Sequence, residues 1–164
     1  VAHLYQPGNT DGVSENNEQS WLHEGNADYF AALAMNFLYE DTSSYVENRT
    51  IRAFESCIEG LEQTTLANAY KTGHFNLYYS CGMIMHRAID NVVQQKTFGE
   101  ESLFTVWQRL QKAVSKGMPP GTTTFLTLLE PYNAPELMKA INDATRNDAL
   151  KAIQGIEALY QMNQ

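Results

Sequence analysis

Long apolar runs are missing from this sequence. The longest, Phe30 to Met35, has six residues, far short of the ~20 that span a bilayer, so no membrane span is expected. Cysteine is scarce: Cys57 and Cys81 are the only two, which makes neither a disulfide framework nor a C-x-x-C pair. They stand as buried thiols or as one bridge, and the redox compartment stays open. Charge is thin too, at 18% of residues against the usual ~25%, and its basic part is the thinner. Eleven Lys and Arg face 19 Asp and Glu, a net −8. A domain of that sign repels phosphate backbones, so no nucleic-acid partner is expected. No basic n-region precedes an apolar stretch, so no signal peptide is expected either. There is no internal repeat, no period-two alternation of useful length, no G-x-S-x-G elbow and no phosphate-binding glycine loop. An initiating Met is also missing: Val1-Ala2-His3 opens the chain, which reads as a processed protein or a piece of a longer one.

What is present is helical. At 164 residues, 43% of them hydrophobic and 11% aromatic, the chain is long enough to bury about 68–70% of its unfolded surface. Residues 6–17 are turn-forming, with Pro7-Gly8-Asn9 and Asp11-Gly12. Ser20 then reads as the N-cap of a helix over 21–40, with Leu22, Tyr29, Phe30, Leu33, Phe37 and Leu38 at three- and four-residue steps. A second helix is predicted over 45–70, with Val46, Ile51, Phe54, Ile58 and Leu61 inward and Gly73 at its C-terminal side. A third covers 75–97, with Leu77, Met83, Ile84, Ala88, Val92 and Val93 inward and Met85 also in the core. A fourth covers 101–116, marked by Leu103, Phe104, Trp107, Leu110 and Val114. It stops at Gly117-Met118-Pro119-Pro120-Gly121. Shorter helices follow over 123–129, 135–145 and 147–160. The fold class is therefore all-α, a helical array.

One segment carries chemistry: Trp21-Leu22-His23-Glu24-Gly25-Asn26-Ala27-Asp28-Tyr29. Four residues apart on a helix, Glu24 and Asp28 project from one face. Two like charges there ask for a positive partner, such as a divalent metal or a histidine held by one. Gly25 and Ala27 are small, which lets another element approach closely. Without such a partner the pair is a solvated acidic helix face.

This run resembles the W-L-N-E-G-F-A-x-Y helix of the gluzincin zinc metallopeptidases, the aminopeptidase N, leukotriene A4 hydrolase and glycyl aminopeptidase types. The resemblance implies that Glu24 binds zinc, and that Asp28 matches the carboxylate that orients a zinc-bound histidine. The family's H-E-x-x-H helix is incomplete here. Twenty residues separate His3 from Glu24, close to the family spacing, so Val1-Ala2-His3 reads as the end of H-E-V-A-H, with His3 a zinc ligand. The first histidine and the general-base glutamate would then precede Val1. Taken alone, His3 is equally an ordinary surface histidine.

A second match is Leu77-Tyr78-Tyr79-Ser80-Cys81-Gly82, similar to the Y-x-K-G stretch of aminopeptidases. It implies that Tyr79, three residues before Gly82 and 55 after Glu24, donates to the oxyanion, with Cys81 in place of the usual Lys. The other reading makes Tyr78 and Tyr79 core aromatics near a helix start. His23, His74 and His86 show no ligand-type spacing and read as surface residues or as neighbours of ligands. Cys81, with no partner base in sequence, reads as a buried thiol.

The resemblance implies a C-terminal fragment of a thermolysin-like catalytic domain: 1–97 its C-terminal half, 98–164 a helical extension packed on it, or one continuous helical domain. The intact enzyme would hydrolyse peptide or protein substrates with a metal-activated water, and this part alone is expected to be inactive. The rival reading is a non-catalytic helical module, a degenerate peptidase relative, binding a protein partner through its acidic surface.

Overall fold

A computed structural model describes residues 20–38 and 44–164, and every regular element among them is helical. The elements are α1 (Ser20–Leu38), α2 (Tyr45–Leu61), α3 (Ala69–Thr72), α4 (Asn76–Lys96), α5 (Leu103–Ser115), α6 (Thr122–Thr127), a 3-10 turn (Glu130–Tyr132), α7 (Pro135–Ala144) and α8 (Ala149–Gln161). No described helix is long and apolar enough to cross a membrane.

The hub is α4, which touches α1, α2, α5, α7 and α8. It can be central because its apolar residues run round the helix: Leu77, Cys81, Met83, Ile84, Met85, Ala88, Ile89 and Val93 are all 2% exposed or less. A helix apolar on every side is stable only when surrounded. One core links Trp21 and Leu22 of α1 through α4 to Ile156 and Leu159 of α8. A buried carboxylate pins the far end. Asp90 accepts from the Tyr29 hydroxyl and from the Leu103 amide, both at 2.7 Å. Its charge therefore meets the N-terminal turn of α5, where unpaired N–H groups favour an anion.

Helix positions follow the apolar periodicity, with two corrections. The first is the helix predicted over 45–70, which ends at Leu61, the chain tightening past it as the Gln63 amide donates to the Gly60 carbonyl at 3.0 Å. Thr65 and Asn68 then bond side chain to side chain with Asn147, at 2.8 and 2.6 Å. Such polar side chains offer the chain an alternative to continued helix.

The second concerns which residues face inward. Phe37, Leu38, Ile51 and Phe104 are exposed, at 88%, 67%, 44% and 50%. On α2 the expected Leu61 is buried and Val46, Phe54 and Ile58 pack partly buried against the core, but the fully buried line also runs through Thr50, Ala53 and Cys57. Small residues let the two axes approach, so the large apolar ones flank the contact. Gly60 shows how close it is, since a methyl group there would lie 2.5 Å from a Leu77 methyl.

Candidate functional site

The first half of α1 lies against the first half of α4, and two glycines make the contact. A Cβ on Gly25 would fall 2.3 Å from the Gly82 backbone, and one on Gly82 would fall 2.6 Å from the Trp21 carbonyl oxygen. Neither position tolerates a side chain. This crossing decides what stands on either side of it. Glu24, one residue before Gly25, meets Tyr79, three residues before Gly82. The two residues named from distant motifs are therefore neighbours, the Tyr79 phenol standing beside the Glu24 carboxylate. The polar interaction with Glu24, then partial burial, then the charges of Glu24 and Asp28 push the Tyr79 phenol up from 10 to about 12. Tyr79 thus keeps its proton at any physiological pH and is a donor. It is 41% exposed, whereas Tyr78 is buried, so only Tyr78 is a core aromatic.

Asp28 stands one turn further along the same face of α1 and accepts from Arg49 of α2 at 2.7 Å. The positive partner that the Glu24–Asp28 spacing calls for is, at Asp28, this guanidinium. Arg49 gave no signal in the sequence, because the pairing joins two helices and lacks a local motif. His3 lies outside the described residues. Among the described residues, no three His, Cys, Asp or Glu side chains converge on a point that could hold a metal ion. Of the residues that the resemblance names, the described ones brought together are Glu24 and Tyr79, with Asp28 one turn away.

Two of the three histidines, His23 and His86, are buried rather than surface groups. His74 is half-buried at the α3–α4 corner, its ring nitrogens 3.0 Å from the Thr72 hydroxyl and 2.9 Å from the Gln63 carbonyl oxygen. His23 and His86 are buried and both flank Trp107, at centroid distances of 5.7 and 6.2 Å. Trp21 and Phe125 complete the aromatic cluster around His86. His86 Nδ1 lies 2.8 Å from the Gly82 carbonyl. A carbonyl only accepts, so Nδ1 carries the proton and Nε2 is the lone-pair nitrogen. His86 thus ties down the glycine at the crossing.

Burial pushes His86 from 6.5 down to about 3, against the opposing pull of the Gly82 bond and with a small push from His23. Below pH 6.5 the unfolded chain takes up a proton that the folded chain refuses until about pH 3. Stability from this site is therefore present above pH 6.5 and lost as pH falls. The folding constant drops by roughly tenfold per pH unit across that window. Urea midpoints measured across the window should fall less steeply for His86→Gln than for the wild type. Parallel curves would place the acid sensitivity elsewhere.

Cys81 is buried, as expected, but is not a thiol: it is bonded to Cys57 of α2, with the Cα atoms 5.0 Å apart. The bridge joins the same faces of α2 and α4 that Ala53 and Leu61 bring together.

Compared with protein-family models, curated proteins and solved structures, the chain has no match, so the reading of this site rests on its own geometry.

Proposed function

We propose that this chain is the helical C-terminal part of a zinc metallopeptidase catalytic domain of gluzincin type, acting on peptide or protein substrates. The observation that carries the reading is the Glu24–Tyr79 pair, brought together where α1 crosses α4 at Gly25 and Gly82. In the intact enzyme Glu24 would hold the metal with His3 and a histidine upstream of Val1. Bound zinc would polarise the peptide carbonyl and activate water. Tyr79 has one O–H, held protonated by its surroundings, and it can present that proton to the oxygen that becomes negative in the tetrahedral state. Asp28, anchored by Arg49, keeps a carboxylate beside the site to orient an incoming imidazole.

The second reading, a non-catalytic helical module that retains the packing and has lost the metal, draws on the same Asp28–Arg49 pair, since that carboxylate already has its counter-charge.

Elemental analysis of the protein expressed from its complete reading frame separates the two. The peptidase reading expects about one zinc per chain, lost in Glu24→Gln. Tyr79→Phe should keep the metal and lower kcat for peptide hydrolysis by roughly 100- to 1000-fold, the usual effect of deleting an oxyanion donor. Zinc absent from the wild type, or retained in Glu24→Gln, sinks the peptidase reading.

A further inference from the structure

The geometry points to a binding site for a small oxyanion, carboxylate or phosphate, at Arg87, on a face of α4 that the Glu24–Tyr79 pair does not use. Arg87 forms the floor of a cleft of about 250 Å³ bounded by Glu47, Thr50, Tyr160, Asn163 and Gln164. Its side chain is only 12% exposed. A guanidinium withdrawn this far from water needs a counter-charge as well as acceptors. The acceptors it has are neutral. One terminal nitrogen donates to the Thr50 hydroxyl at 2.6 Å and to the Val46 carbonyl at 3.5 Å, and the other to the Asn163 carbonyl at 3.4 Å. Among the described residues, the acid that reaches it is Glu47, at 3.8 Å and with its own side chain 69% exposed. An ion pair that long and that wet neutralises little.

The cleft therefore presents an under-neutralised cation in a chain whose net charge is −8. Tyr160 and Gln164, both with donor-bearing side chains, line the walls. Tyr160 is fixed by stacking on Phe54, 4.1 Å between centroids. The floor is fixed as well, because Asn163 donates to the Ile84 carbonyl and Asn91 donates to the Met162 carbonyl, both at 3.3 Å. A guanidinium fork suits a planar or tetrahedral oxyanion, which it can grip through two N–H groups. The volume lies below the roughly 300 Å³ at which pockets for larger organic ligands begin, which favours phosphate or a short carboxylate over a nucleotide or a peptide. Glu47 occupies the rim as a weak resident competitor. An entering anion would displace it.

The test is calorimetric titration of the full chain with succinate and, separately, with inorganic phosphate, at constant ionic strength set by chloride. At least one should bind saturably, and which one does identifies the preferred oxyanion. Glu47→Gln removes the competitor from an exposed position and should tighten binding at least threefold. Arg87→Lys keeps the charge but loses the fork and should weaken binding at least tenfold. No saturable binding of either anion overturns the proposal. So does an unchanged dissociation constant in Glu47→Gln, which keeps the test decisive even where Arg87→Lys fails to fold.

Discussion

Gly82→Ala should destabilise the protein by about 2 kcal/mol and draw Glu24 away from Tyr79. The added methyl would sit 2.6 Å from the Trp21 carbonyl oxygen, 2.7 Å from the Gly25 Cα and 3.1 Å from the Gly25 nitrogen. All three are backbone atoms of α1, so no side chain can rotate to make room. The helices must separate or α1 must slide. Overpacking of this kind costs roughly 1–3 kcal/mol and more where backbone must move. Against that stands the gain of about 1 kcal/mol from replacing a mid-helix glycine. The crossing wins, because separation also loosens the Trp21 contact with His86. Denaturant unfolding measures the loss, and an NMR titration of Tyr79 measures the site. Once parted from Glu24, the phenol should titrate below its value of about 12 and nearer 10. A variant as stable as the wild type, with Tyr79 unmoved, would show that the glycines do not set the distance between Glu24 and Tyr79.

How much of this was legible in sequence follows from the range of each interaction. Helix existence came from periodicity, a local property, so α4 and α5 fall within two residues of the predicted spans. Inward faces were less legible, because periodicity favours large residues, whereas the close α2–α4 contact uses Thr50, Ala53 and Cys57. Glu24 and Tyr79 could be singled out by local pattern and resemblance, and Gly25 by its size beside Glu24. Their meeting depends on Gly82, whose role appears only once α1 lies on α4. Arg49, Asp90 and His86 act across helices and carry no local motif. A buried aspartate between apolar residues, Ile89-Asp90 ahead of Val92-Val93, was the one available hint. Arg87 was hidden for the same reason: its partners Val46, Thr50 and Asn163 are separated from it by 41, 37 and 76 positions.

The Cys57–Cys81 bridge carries the other large expected effect. Its two ends are 24 positions apart, and closing a loop of that length in the unfolded chain removes entropy equivalent to about 3.5 kcal/mol. Both sulfurs are fully buried. Replacing both cysteines with Ala also deletes packed atoms against Ala53 and Leu61, and this adds to the loss. The double variant should therefore unfold at clearly lower denaturant, with a loss of about 3 kcal/mol or more. The burial makes a second, kinetic expectation. A reductant reaches the bridge only through opening of the α2–α4 contact, so reduction of the folded chain should track its opening, accelerating as denaturant is added. Intact mass spectrometry over time follows this directly. The bridge also bears on the site, because Cys81 stands between Tyr79 and Gly82 on α4. Tying α2 to that turn fixes the segment against which α1 crosses, so the double variant should lower the Tyr79 titration as well as the stability. A loss below about 1 kcal/mol would mean that the unfolded chain already keeps α2 and α4 together. Rapid reduction without denaturant would mean that the α2–α4 contact is far looser than the buried row of Ala53, Cys57 and Leu61 implies.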